Sequence, residues 1–289
     1  MSEQNDAGAE VALEARMAEA SELGDAGHWE EAFEILSAEE ATHPEHPVLL
    51  CMLGAASREL GYEGQAYEYF RRCVHAGPSD PLVLVTAGTG LASLDDPDAE
   101  SVLRLAALSA PDMVETRLGY GAYLAHEGLL EQAIVELRAA RELDPNDADV
   151  RAELGAAHLR GGEAQLSVEE LSEAVALRPE DAWTRVLYGL ALQLVDRGDE
   201  AAEELYRASL DDESDGEAQL LAGLACAAQG WTDEGWNAFA RAAAAPHAPS
   251  PALLHEAEEA VEEGAEAAAA LLAEEVAPSM LRERLFARR

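Results

Sequence analysis

The chain has 289 residues, 48% apolar and 27% charged, which is enough apolar material to bury a core and too much for a disordered polymer. It carries 58 acidic residues against 19 basic ones, a formal charge of -39, and every basic residue is arginine. A surface this negative repels phosphate, so neither nucleic acid nor an anionic membrane is expected as a partner.

The longest apolar run, 267–273, is far too short to cross a bilayer. The opening Met-Ser-Glu-Gln-Asn-Asp shows no signal peptide, and the scattered Cys51, Cys73 and Cys226 suit a reducing compartment, so a cytoplasmic location is expected. Scarce Lys, Ile, Asn, Phe and Tyr fit either a GC-rich coding sequence or a salt-rich cytoplasm.

Residues 1–11 are polar and are expected to be a disordered acidic tail. From there the chain repeats itself, in segments 13–46, 47–80, 81–113, 114–147, 148–181, 182–215 and 216–249. Pro44, Pro78, Pro111, Pro145 and Pro179 follow one another at intervals of 34, 33, 34 and 34 residues. In step with them run Gly54, Gly88, Gly121, Gly155, Gly189 and Gly223. A small column holds Ala32, Ala66, Ala99, Ala133, Ser167, Ala201 and Gly235, and a large one Leu36, Phe70, Leu103, Leu137, Leu171, Leu205 and Phe239.

Each period holds two stretches of helical periodicity, such as 48–60 and 65–76. A glycine break separates them at Gly27, Gly61, Gly128, Gly162 and Gly230. The column proline follows the second helix, and an acid such as Asp147 or Asp181 stands ready to cap the next. The pattern lapses in places. In the first repeat Glu19 and Ala20 stand where the others carry an apolar residue and Gly, a residue is missing in the 95–98 turn, Glu213 stands in the proline column, and Pro246 comes one place early.

Residues 250–289 leave the repeat and are expected to form a C-terminal cap: helices over about 251–263 and 265–276, then a short helix capped by Ser279. Residues 278–289 carry four Arg and one Glu, with Met280 or Leu281, Leu285 and Phe286 facing roughly one way. The segment reads either as the last capping helix or as a mobile basic helix that docks in an acidic, apolar groove, its own or a neighbour's.

The order Tyr120, Gly121, Leu124, Ala133, Leu137, Ala140, Pro145 resembles the tetratricopeptide repeat family, and the likeness covers residues 12–249, more than four fifths of the chain. It implies an all-α, right-handed α-solenoid of about seven helix-turn-helix repeats with a C-terminal helical cap. It also implies a concave groove lined by the first helix of each repeat. The columns facing that groove would hold Val85, Thr89, Leu118, Ala122, Ala152, Ala156, Trp183, Val186, Leu190, Leu220 and Leu224. The family's carboxylate clamp for acidic C-terminal peptides uses Lys and Asn, and neither stands in these columns, which argues against a co-chaperone role.

No nucleophile, phosphate-loop or zinc-protease motif is present, so neither an enzyme nor a cofactor is expected. His43 and His46 have a spacing that could ligate metal but sit alone in an inter-repeat turn. Cys51 and Cys73 read as buried thiols, and His158, in a leucine column, as a hydrogen-bonded packing residue. The abundant carboxylates read as a solvated face.

One regular charged feature remains. Arg117, Arg151 and Arg185 are the fourth residues of three successive repeats, and Glu136, Glu170 and Glu204 precede the large apolar column in the same three. Elsewhere both columns turn apolar together, as Leu50 with Tyr69 and Leu84 with Val102. A ladder of Arg–Glu pairs stapling the helices is expected, with a row of arginines for an acidic ligand as the competing view.

The whole reads as a non-catalytic scaffold or adaptor binding a peptide or helix of another protein, apolar with basic flanks. The alternative is a regulatory subunit docking on an enzyme or on a secretion or assembly machine.

Overall fold

In this computed structural model the chain is described over residues 2–285, with side chains from Val11 onward. Phe286, Arg288 and Arg289, singled out above, lie outside the described residues.

Helices follow one another with short turns between them. They are α1 (Ser2–Asp25), α2 (Trp29–Glu40), α3 (Pro47–Glu59), α4 (Glu63–His75), α5 (Pro81–Ala92), α6 (Ala99–Ser109), α7 (Val114–His126) and α8 (Leu130–Leu143). Then come α9 (Ala148–Arg160), α10 (Ala164–Leu177), α11 (Ala182–Leu194), α12 (Gly198–Asp211), α13 (Gly216–Ala228), α14 (Thr232–Ala244) and α15 (Pro251–Glu263). The chain forms two compact units, one running through Tyr123 and one starting at Leu124. Within each, helices pack as consecutive pairs, α3 on α4 and α5 on α6 in the first, α9 on α10, α11 on α12 and α13 on α14 in the second.

The repeat columns meet each other inside a pair. A Cβ at Gly54 would fall 2.7 Å from the Phe70 ring, and one at Gly155 would fall 2.6 Å from Leu171 Cγ. The glycine is therefore the socket and the large apolar residue the plug, and any side chain at the socket would push the two helices apart. Phe70, Leu103, Leu137, Leu171 and Leu205 are all fully buried.

The turn inside each pair is built the same way seven times. Gly27, Gly61, Gly128, Gly162 and Gly230 have φ of +74° to +79°, and Asp95 and Asp196 adopt +58° and +60° in the other two. The next amide then bonds five residues back, as Tyr62 to Ser57, Asp96 to Leu91 and Arg197 to Leu192. This closure satisfies the last carbonyls of the first helix. The shortened third turn is braced by Asp96, whose carboxylate accepts from the Asp98 amide at 2.8 Å, Tyr67 Oη at 2.8 Å and Arg71 Nη1 at 3.0 Å.

First helices begin on caps. Asp80, Asp147, Asp181 and Asp215 each accept amides of the following turn, and Pro47 and Pro81 sit at the first helical position, where a missing N–H costs nothing.

Two expectations change at the ends. Helix α1 starts at Ser2, inside the segment expected to be disordered. That stretch contains no proline to interrupt a helix.

At the other end, no break falls at Ser279. Helix α16 (Ala265–Leu271) runs through a π-helical stretch (Leu272–Val276), α17 (Ala277–Met280) and a second π-helical stretch (Leu281–Leu285) without interruption. Pro278 cannot donate and crowds the turn before it, so the ladder shifts and the Ala277 amide bonds Leu272, five residues back. Ser279 therefore caps nothing.

Candidate functional site

The first helix of each pair contributes to one face of its unit. In the first unit, Val85 and Thr89 of α5 and Leu118 and Ala122 of α7 are all half-buried. Thr89 turns its hydroxyl inward, donating to the Val85 carbonyl at 3.0 Å. Its methyl faces Gly119, as does Val85 Cγ1, so this face is apolar and closely packed.

In the second unit the same columns are Ala152 and Ala156 on α9, Trp183, Val186 and Leu190 on α11, and Leu220 and Leu224 on α13. Four of them are no open groove: Val186, Leu190, Leu220 and Leu224 are 2% exposed or less. They form one core with Leu272, Val276, Ala277 and Met280 of the C-terminal helix. The reason is the usual one for apolar surface: a covering helix in the same chain removes it from water.

That helix continues past α13. Leu285 packs in a cluster with Ala156 and Leu159 of α9 and Leu187 and Ala191 of α11, and Leu281 and Trp183 bridge the two clusters. Beside Leu285, the Arg284 guanidinium lies 4.4 Å above the Trp183 ring. Its Nη1 stands 2.5 Å from Asp215 Oδ2 and 3.8 Å from Glu217 Oε2, with the arginine side chain only 15% exposed. Asp215 does two jobs, since its Oδ1 caps α13 by accepting the Glu217 and Ala218 amides at 3.1 Å.

Arg284 and Leu285 line a cleft that is edged by Asp149, Glu153, Arg160, Asp181 and His126. Burial, helped by Asp149, pushes the Glu153 carboxyl above the usual carboxylate range. Burial also pulls Arg160 and His126 down.

The arginine–glutamate columns have this placement. Arg151 Nη1 is 2.7 Å from Glu170 Oε2, and Arg185 Nη1 is 2.7 Å from Glu204 Oε2. Arg141 also reaches Glu170, and Arg185 Nε donates to Asp211 at 3.0 Å. Arg117 belongs to the first unit and Glu136 to the second. All three arginines share an acceptor that the sequence did not reveal. Arg117 and Arg151 donate to the carbonyls of Pro111 and Pro145, at 3.1 and 2.9 Å, and Arg185 donates to that of Pro179. Where Leu50 takes the arginine's place, Arg72 of α4 serves the equivalent Pro44 carbonyl at 2.8 Å. The column therefore pins the inter-repeat turn to the helix that follows it.

The remaining candidates are structural. His46 Nδ1 accepts the Leu49 amide at the start of α3, and His43 lies 3.0 Å from Thr42 Oγ1. His158 is 2% exposed and bonds Glu163 at 2.6 Å. A hydrogen bond with Cys73 and burial push the Cys51 thiol up, and burial pushes Cys226 to about 12, so neither is a ready nucleophile. Among the described residues no cluster of His, Cys, Asp or Glu is arranged to hold a metal ion, and no helix is long and apolar enough to cross a membrane.

No family model matches the chain, and no curated protein does. Many solved structures share its fold. A chain of the APC/C hetero-tetramer is 18% identical with a TM-score of 0.69, over 82% of this chain and 48% of that one. A tetratricopeptide repeat protein from Parabacteroides merdae is 15% identical with a TM-score of 0.60, over 89% and 98%. PilF of Pseudomonas aeruginosa is 17% identical with a TM-score of 0.62, over 74% and 96%.

Proposed function

We propose, from the tetratricopeptide-repeat fold that this chain has, that it is a non-catalytic interaction module whose first-helix faces recognise an amphipathic helix with basic flanks. The observation that carries the reading is the way the second unit treats such a helix. Met280 and Leu285 enter apolar positions along α9, α11 and α13, and Arg284 is held between an aromatic ring and a carboxylate. A guanidinium stacked on indole and paired with an acid is a specific polar anchor within an apolar seat. The acidity of the chain adds long-range attraction for a basic partner. In the first unit, Val85, Thr89, Leu118 and Ala122 offer a half-buried apolar face of the same kind.

Selection of helical peptides from a random library on the full chain tests this. The retained peptides should combine an apolar stripe with Arg or Lys, and Val85→Asp or Leu118→Asp should weaken them about tenfold with helicity unchanged, since a buried unpaired carboxylate is costly. A library that yields no ligand, or ligands indifferent to both substitutions, overturns the reading.

A further inference from the structure

A cap need only cover the last helix pair, and α15 and α16 already do so: both pack on α13, with Ala257 and Ala268 fully buried. The chain does not stop there. Residues 265–285, roughly 30 Å of helix, run from α13 across α11 to α9, two repeats back into the second unit. The final stretch brings arginine and apolar side chains together in this acidic chain, and it places Leu285 beside Ala156 and Arg284 over Trp183, two of the first-helix columns.

We infer that the C-terminal stretch from Ala277 to Leu285 is an intramolecular ligand of the second unit, and that an external helix reaches the face of α9, α11 and α13 only by displacing it. This rests on the reading of the first-helix faces as recognition surfaces.

The attachment suits release. Pro278 interrupts the normal ladder, and π-helical stretches flank α17, so the end can detach without unravelling α16 and the cap. The competitor that fits must reproduce the anchor: arginine directly before leucine, with an apolar residue one turn earlier. The same cleft is edged by Asp149, Glu153 and Asp181 against Arg160 and His126, an acidic balance that favours a further basic residue on the competitor. Because the resident segment is tethered, it competes at high effective concentration, and the apparent affinity for an external helix falls by the fraction of time the face is open.

The test uses the full chain and a fluorescent peptide of residues 277–289, read by anisotropy. Wild type should bind it weakly. The full-length variant Arg284→Glu/Leu285→Asp, whose own segment no longer fits, should bind about tenfold tighter or more. Adding Trp183→Ala and Asp215→Asn to that variant should abolish the gain. Arg284→Ala alone, a milder change, should give an intermediate affinity. The inference is overturned if wild type and the open variant bind the peptide equally. It is also overturned if both the double and the single variant merely melt lower without gaining affinity, which marks the segment as an integral cap. The two readings fail separately. Library ligands that map to Val85 and Leu118 while the tail peptide behaves identically in all variants leave the module and remove the self-ligand. A tail peptide captured only by the open variant, with no library ligand for α5 and α7, does the reverse.

Discussion

Arg185 shows how much one repeated side chain can hold. It spans a glutamate on the paired helix, an aspartate at that helix's end and the carbonyl of the proline that closed the previous repeat. The coupling of Arg and Glu was legible because two columns changed character together, from Arg151 with Glu170 to Leu50 with Tyr69. The proline carbonyl was not, since a backbone acceptor leaves no trace in residue identity. The side chains of Arg185 and Glu204 are 10% and 15% exposed, so removing one strands the other in a poorly solvated place. Arg185→Ala should therefore lower the unfolding free energy by about 3 kcal/mol. The double substitution Arg185→Leu/Glu204→Val, which copies the apolar solution of the third repeat, should recover most of that loss. Urea titrations of the three proteins decide it, and a double variant no better than Arg185→Ala would show that the carbonyl and Asp211 contacts dominate.

For the elements, period and turn chemistry carried nearly everything. The glycine socket, its leucine or phenylalanine plug and the trailing proline place helices without reference to tertiary structure, because each repeat solves the same packing problem locally. The stretch around Pro278 and Ser279 lacks that redundancy: Ser279 reads as the cap of a new helix, yet the chain runs through it as one continuous helix. The αL turn gives a sharper test of the same logic. Gly162 has φ of +74°, and Asp196 fills the equivalent place at +60°. A Cβ in this region costs about 1–2 kcal/mol, a penalty Asp196 already bears in part. Gly162→Ala should lower stability by about 1 kcal/mol, whereas Asp196→Gly should lower it little or raise it. Equal losses from the two, measured by thermal unfolding, would mean that Asp196 supplies a contact that outweighs its strain.

At the scale of the whole molecule, the repeats explain stability and the charge works against it. The sequence singled out the first-helix columns, yet only the structure shows that in the second unit the C-terminal helix covers them, since the register of a tail on a helix face is set by distant side chains such as Trp183 and Asp215. The same electrostatics has a global consequence. Fifty-eight carboxylates against 19 arginines leave -39 charges on one chain. Local pairs such as Arg178 with Asp149 and Arg207 with Glu203 draw on only 19 arginines, so most of the 58 carboxylates carry a charge that no cation offsets. Unfolding moves those charges apart, and the compact state bears the repulsion. Added salt shortens the range of that repulsion from about 30 Å at 0.01 M to a few ångströms near 1 M. The exposed ion pairs weaken too, but each is worth only about 0.2–1 kcal/mol, and 19 cations cap their number. Repulsion among the excess acids therefore dominates the salt response. The melting temperature should climb as NaCl is raised from low concentration to about 0.5 M, with most of the gain at the low end where the screening length changes fastest. The buried Arg284–Asp215 contact, being little screened, should persist through the same range, which Trp183 fluorescence can follow. A melting temperature that stays flat or falls would mean that local pairing already offsets the excess charge.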